Sequence, residues 1–290
     1  MKNLLFLIFA LLLILAPGLQ AAENPEKISD LIYGNAQGRL QRLDIYYPRT
    51  QAPPSGYPLI ICFHGGAWAI GNKHWDLVLR NLTKYGYAVA SVDYRLSGQA
   101  IYPAQFLDAR NATRWLLKNA SRLRLDSQRI GVSGVSAGGQ IALLLAFTQN
   151  QNLHGSPPLP KGTIKAVCVL YPVTDLISIV PPKKRTNPGN LISRLLGAPL
   201  ADRMALAKLA SPLTHVRRGI PPVLLIHGDK DSLVPLSQSK TLLHAAQACG
   251  ADCILWVYAN RQHGFGLYPS TLTDVGKFFD RNLKTVKVAD

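Results

Sequence analysis

Arg129-Ile130-Gly131-Val132-Ser133 runs into Gly134-Val135-Ser136-Ala137-Gly138-Gly139 and then into the apolar stretch Ile141-Ala142-Leu143-Leu144-Leu145-Ala146-Phe147. A β-rich run, a glycine-rich turn and a helix-forming segment thus follow one another without a gap. The pattern Gly-x-Ser-x-Gly at a strand-to-helix junction has a steric origin: the turn is so tight that its flanking positions must be small. It lifts the middle hydroxyl clear of the backbone at a helix N-terminus. Ser136 is therefore the candidate nucleophile, with Gly134 and Gly138 supporting the turn. Ser133 is an internal control, because Gly134-Val135 after it breaks the pattern and leaves it within the strand.

The same rhythm extends outward in both directions. Short β-rich runs recur at 39–47, 58–63, 88–94, 129–133, 164–171, 223–226 and 253–258. Several are apolar without alternation, which is how strands covered on both faces of a parallel sheet read. Pro103 and Pro235 sit where first helical turns are expected. Leu242, Ala245, Ala246 and Cys249 recur at i, i+3, i+4 and i+7, a single buried stripe that Gly250 ends. Strand alternating with helix predicts an α/β fold, a mostly parallel central sheet of about eight strands with helices on both faces. The run at 39–47 has no helix before Pro58, which places antiparallel strands at one edge. The segment 176–216 alone departs from this rhythm. It is Pro-rich, carries Lys183-Lys184-Arg185 and is too long for a plain loop, so it reads as a short cap-like insertion over the sheet's C-terminal edge. The basic triplet reads as a solvated loop.

Composition sets the class. The chain has 290 residues, 48% of them apolar and 17% charged, which excludes disorder and collagen-like repeats. No repeat of solenoid or propeller period occurs. Lys2, the apolar run 4–16, Pro17-Gly18 and Ala21-Ala22 have the layout of an export signal at 1–21, with 22–290 as one catalytic domain. Retention of the leader as an anchor is the alternative, although its run is shorter than the about 20 residues of a membrane span. The expected location is periplasmic or secreted. Of four Cys, Cys62 and Cys168 sit in apolar strands as buried small hydrophobes, while Cys249 and Cys253 flank a short turn that a disulfide could close. His and Cys do not interleave at zinc spacing, so no metal site is expected. Lys plus Arg outnumber Asp plus Glu by 32 to 16, a net charge of +16. That excess points to anionic lipid or acidic glycan surfaces. The cations are spread along the chain with no recognition motif, so nucleic acid is not an expected partner.

A serine hydroxyl needs a base within hydrogen-bond reach. Of the seven His, His74, His154, His215 and His244 read as surface residues, and His64 and His227 as braces at strand ends. His263 follows the last strand, in Asn260-Arg261-Gln262-His263-Gly264-Phe265, and is the candidate base. The orienting acid should also follow a strand, and Ile226-His227-Gly228-Asp229-Lys230-Asp231 offers two. Asp229 is placed to form the turn off the strand. Asp231 lies further out with reach toward the final loop, so it is the candidate triad acid. Ser136, Asp231 and His263 then stand in the chain order Ser…Asp…His. Cys62-Phe63-His64-Gly65-Gly66-Ala67-Trp68 leaves a strand into a loop with little side-chain cover. Its amides at Gly66 and Ala67, with that of Ala137, are the candidate oxyanion donors.

Taken together, His64-Gly65-Gly66-Ala67-Trp68, Val92-Asp93-Tyr94-Arg95-Leu96, Gly134-Val135-Ser136-Ala137-Gly138-Gly139, Tyr171-Pro172-Val173-Thr174-Asp175-Leu176 and the segment from His227 to Pro235 resemble the α/β-hydrolase esterases related to hormone-sensitive lipase. Within that group the sequence is most similar to the branch of bacterial acetyl-xylan and feruloyl esterases. The resemblance runs from about Leu40 to the C-terminus. It implies hydrolysis of carboxylic esters through an acyl-serine, no cofactor, an oxyanion loop at His64–Ala67 and a small-molecule or glycan-linked ester as substrate. Ala67 stands where many relatives have a third Gly, a change that keeps the backbone N–H and narrows access. Relatives acting on formamides and isoprenylcysteine esters share the core. A lipase of the same fold is the neighbouring alternative. A basic surface-binding protein with a vestigial site is the alternative from another class.

Overall fold

The computed structural model describes residues 26–75, 77–266 and 269–284; the export signal expected at 1–21 lies outside the described residues. In chain order the strands are β1 (Lys27–Ala36), β2 (Arg39–Tyr46), β3 (Tyr57–Phe63), β4 (Ala88–Val92), β5 (Leu125–Val135), β6 (Ile164–Leu170), β7 (Val223–Gly228) and β8 (Cys253–Tyr258). The helices are α1 (Leu77–Arg80), α2 (Ala104–Lys118), α3 (Ala137–Phe147), α4 (Leu191–Leu196), α5 (Met204–Ala210), α6 (Ser237–Ala248) and α7 (Pro269–Phe279). No helix among the described residues is long and apolar enough to cross a membrane.

The strands form one sheet in the order β1-β2-β4-β3-β5-β6-β7-β8. β1 and β2 pair antiparallel, β2 joins β4 antiparallel, and every later pair is parallel. This is the α/β-hydrolase arrangement, with the antiparallel edge that the run before Pro58 implies. β3, β4 and β7 are buried at every position, which explains why their sequences do not alternate. Two hydrophobic clusters cover the two faces. One gathers β-strand side chains with α2 and α3, the other with α7. All residues of α3 are buried, so its sequence is apolar around the whole circumference rather than along a stripe.

Several sequence expectations need correction. β1 carries no apolar alternation, has a positive φ at Asp30 and is irregularly paired. It is specified by the turn at Gln37 and Gly38, both at positive φ, which suits a tight hairpin. β5 begins at Leu125, ahead of the expected run, and bulges where Asp126 Oδ1 accepts from Gln128 N at 2.8 Å. Pro235 precedes α6 rather than lying in its first turn. Cys249 and Cys253 are free thiols, not a disulfide; Cys249 closes α6 and its Sγ donates to Ala246 O at 3.2 Å. Cys62 and Cys168 are buried as read. Segment 176–216 forms α4, α5 and three short 3₁₀ turns.

Candidate active site

The glycines around Ser136 are fixed by packing. A Cβ on Gly138 would stand 2.0 Å from Phe63 O and 2.4 Å from His64 O, and one on Gly134 would stand 2.4 Å from Gly138 O. The start of α3 therefore rests on the end of β3 backbone to backbone. Ser136 itself has φ +53 and ψ −119, a strained conformation for a residue with a side chain. Its amide is tied to Leu170 O at 2.9 Å, so the end of β6 holds the strained turn in place. At the first position of α3, the N–H of Ala137 has no intrahelical acceptor.

Ser136, His263 and Asp231 meet although 127 residues separate the first two. His263 Nε2 accepts from Ser136 Oγ at 2.9 Å, and its Nδ1–H donates to Asp231 Oδ2 at 2.7 Å. Asp231 Oδ1 is occupied separately, accepting from Leu233 N at 3.0 Å and Val234 N at 2.8 Å. The local turn is thus made by Asp231, where the sequence pointed to Asp229. Asp229 instead accepts from Asn260 N at 2.7 Å, while its own amide donates to Tyr258 O at 3.0 Å. Lys230 N donates to Arg261 O at 3.0 Å, and a Cβ on Gly228 would meet that same oxygen at 2.2 Å. The loop bearing the acid is laced to the loop bearing the base.

His227 packs beside Asp231, its Nε2 lying 3.4 Å from Asp231 Oδ2. It is fully buried, its Nε2–H donates to Val234 O at 2.9 Å, and its Nδ1 accepts from Ser239 Oγ at 2.7 Å. Burial holds its pKa below the ordinary value despite the nearby Asp231 carboxylate, so the brace is a neutral imidazole. His64 braces the opposite loop in the same state. Its Nδ1–H donates to Gly65 O at 2.7 Å and its ring stacks on Tyr94 at 4.3 Å. Burial brings its pKa down to about 4.

The loop after β3 carries three successive positive φ values, +103 at Gly66, +52 at Ala67 and +58 at Trp68. Trp68 anchors it: the indole Nε1–H donates to Gln140 Oε1 of α3 at 3.0 Å, and Gln140 Nε2 donates to Ala210 O at 2.7 Å. Gly65 lies against the elbow, since a Cβ there would stand 3.6 Å from Ser136 Cβ. Gly66, Ala67, Ala137, Ser136 and His263 line one cavity of about 980 Å³. Its other walls are largely apolar, and segment 176–216 contributes Ile179, Val180, Leu191 and Ile192. The insertion therefore supplies part of the cavity's apolar wall. Tyr171, at the end of β6, sets its ring edge-on to His263 at 4.7 Å, with Phe265 behind it at 5.5 Å. Sequence reasoning assigned no role to Tyr171, Trp68 or Gln140. Tyr171 and Trp68 fall within motifs that carry the family resemblance, and Tyr171 directly follows β6; Gln140 carries no such signal. Among the described residues no cluster of His, Cys, Asp or Glu has the makings of a metal site.

The family model BD-FAE matches residues 43–246. Esterase LipQ of Mycobacterium tuberculosis is 29% identical over 248 residues, 82% of this chain and 57% of that protein. This chain spans little more than half the length of that curated relative. Among solved structures, a truncated carbohydrate esterase from gut microbiota superposes with TM-score 0.79 at 26% identity, covering 91% of this chain and 99% of the other. A thermophilic esterase from the Planctomycetes species Thermogutta terrifontis, with propionate bound, gives TM-score 0.72 at 25% identity over 89% and 95% of the two chains.

Proposed function

The chain belongs to the BD-FAE family, and from that premise we propose that it is an exported serine carboxylic-ester hydrolase. The observation that carries the hydrolase reading is the continuous relay from Asp231 through His263 to Ser136 Oγ at the wall of an apolar cavity; export is proposed from the sequence layout of 1–21 alone. In the proposed cycle His263 Nε2 takes the hydroxyl proton as Ser136 Oγ attacks the ester carbonyl. Asp231 keeps the imidazole in the Nδ1–H tautomer and stabilises the imidazolium. The N–H groups of Gly66, Ala67 and Ala137 face the oxyanion, where losing one donor typically costs on the order of 3 kcal/mol of barrier lowering. Collapse of the tetrahedral adduct expels the alcohol, which takes the proton from His263. Water then enters by the same base and releases the acid.

The substrates that suit this cavity are small acyl esters, including acetyl or feruloyl groups on a polysaccharide. Support comes from the carbohydrate-esterase likeness and from propionate bound in a neighbouring structure. A cavity of about 980 Å³ is at the large end for small-molecule sites, so an aromatic acyl group such as feruloyl fits within it. The test is a panel of acetyl, butyryl, octanoyl and feruloyl esters, each with and without a sugar alcohol. Turnover of the acetyl or feruloyl members, abolished by Ser136→Ala, is expected. No turnover of any member by the wild type contradicts the reading, and a clear octanoyl optimum moves it to a lipase.

A further inference from the structure

Among the described residues, the lysine and arginine charge on the catalytic cavity comes from one side. Asp and Glu are missing from its described lining, whereas Lys184 and Arg194 both border it from segment 176–216. The chain has a large excess of cations, so an unpaired one on open surface means little. These two are set apart by their place in the concave mouth of the catalytic cavity, where low-dielectric walls concentrate the field.

Their side chains are exposed, and among the described residues neither cationic head has a hydrogen-bond or ion-pair partner. Their backbones, by contrast, are held. Asn190 caps α4 by accepting from Ser193 N at 2.8 Å, and its amide donates to Lys184 O at 3.2 Å and Asn187 O at 2.8 Å. Arg194 N donates to Asn190 O at 3.0 Å. Next to Lys184, the Arg185 guanidinium donates to Val180 O at 3.1 Å and Ile177 O at 3.3 Å. One capping residue thus joins the turn bearing Lys184 to the helix bearing Arg194, and the two cations are presented from a single wall. The exposed apolar side chains Ile70, Trp75, Leu191 and Leu233 border the same cavity. The whole matches a ligand with an apolar body and a negative end.

We propose that the ester hydrolysed at Ser136 is itself an anion, bearing a carboxylate, sulfate or phosphate that Lys184 and Arg194 bind while the ester group reaches the elbow. This inference rests on the esterase reading above. The negative group can lie on the acyl or the alcohol side, and two substrate pairs separate the cases. The acyl arm compares p-nitrophenyl hydrogen glutarate with p-nitrophenyl methyl glutarate. The alcohol arm compares p-acetoxybenzenesulfonate with p-acetoxybenzenesulfonamide. All four are monomeric in solution, so adsorption to a lipid or glycan surface contributes nothing.

In at least one arm the anionic ester should be favoured in kcat/KM by about tenfold at low salt, the scale of two partly exposed charge contacts. The ratio should shrink as salt rises. It should fall to near one in the Lys184→Gln/Arg194→Gln double variant and invert in Lys184→Glu/Arg194→Glu. A ratio near one in both arms, or one that these substitutions leave unmoved, overturns the inference while turnover of the neutral esters upholds the esterase reading. A preference that emerges only when anionic phospholipid vesicles are added assigns the cations to surface adsorption and also overturns it. Absence of all turnover, with Ser136 inert to fluorophosphonate, removes the esterase reading and this inference together.

Discussion

The two oxygens of Asp231 divide their work, one accepting from His263 and the other from the amides of Leu233 and Val234. Asn in its place retains a carbonyl oxygen for the turn but presents N–H to the imidazole and favours the wrong tautomer. Asp231→Asn should therefore lower kcat on the order of 10³–10⁴-fold with little change in stability. Asp229 is two residues away and has a different task, since its Oδ1 receives Asn260 N and laces the two loops. An amide oxygen performs that task as well, so Asp229→Asn should leave kcat within about threefold of wild type and cost at most about 1 kcal/mol of stability. Steady-state kinetics and urea unfolding of both variants decide the matter. An inactive Asp229→Asn beside an active Asp231→Asn reverses the assignment.

The elbow works as one unit of three elements: β3, the loop after it and α3. Gly138 is the contact point, because any Cβ there collides with backbone oxygens of Phe63 and His64 that cannot swing aside. Gly138→Ala should cost about 3 kcal/mol or more and depress kcat/KM, since relief requires moving the loop that presents Gly66 and Ala67. Gly98→Ala is the control, as nothing lies within 4 Å of that Cβ position, and it should be near neutral in both thermal denaturation and kinetics. The elbow was legible from the sequence because steric demand leaves its mark within five consecutive residues. So were His263 and Asp231, each following a recognisable strand. β1 was not legible, for it is an edge strand whose place comes from a hairpin turn and not from an apolar pattern. The bond from Trp68 to Gln140 was equally hidden, because it joins side chains 72 residues apart only after the sheet has formed. The free thiols of Cys249 and Cys253 went against the expected bridge: spacing alone does not reveal that one closes a helix while the other opens a strand.

At the scale of the whole molecule, the buried imidazole of His64 links stability to pH. Its pKa is about 4 in the fold against 6.5 in the unfolded chain, so between those values the unfolded state binds more protons. Its contribution is present in full above pH 6.5 and is lost as pH falls through the window down to about 4. From pH 7 to pH 5 the expected loss is roughly 2 kcal/mol. His227 is shifted in the same direction by burial and adds to the trend. Urea unfolding at the two pH values should show a smaller loss in His64→Asn, whose amide still donates to Gly65 O. An equal loss in both proteins removes His64 as the cause.

The proposed cycle depends on a single hydroxyl just past the end of β5, and the most direct measurement asks whether that oxygen is the nucleophile. Wild type, Ser136→Ala and Ser133→Ala are incubated with a fluorophosphonate, and the intact mass and the modified peptide are determined. One adduct per chain on Ser136 is predicted for wild type and Ser133→Ala, with none on Ser136→Ala, while all three proteins unfold cooperatively. An adduct that persists in folded Ser136→Ala, or that maps to Ser133, contradicts the account.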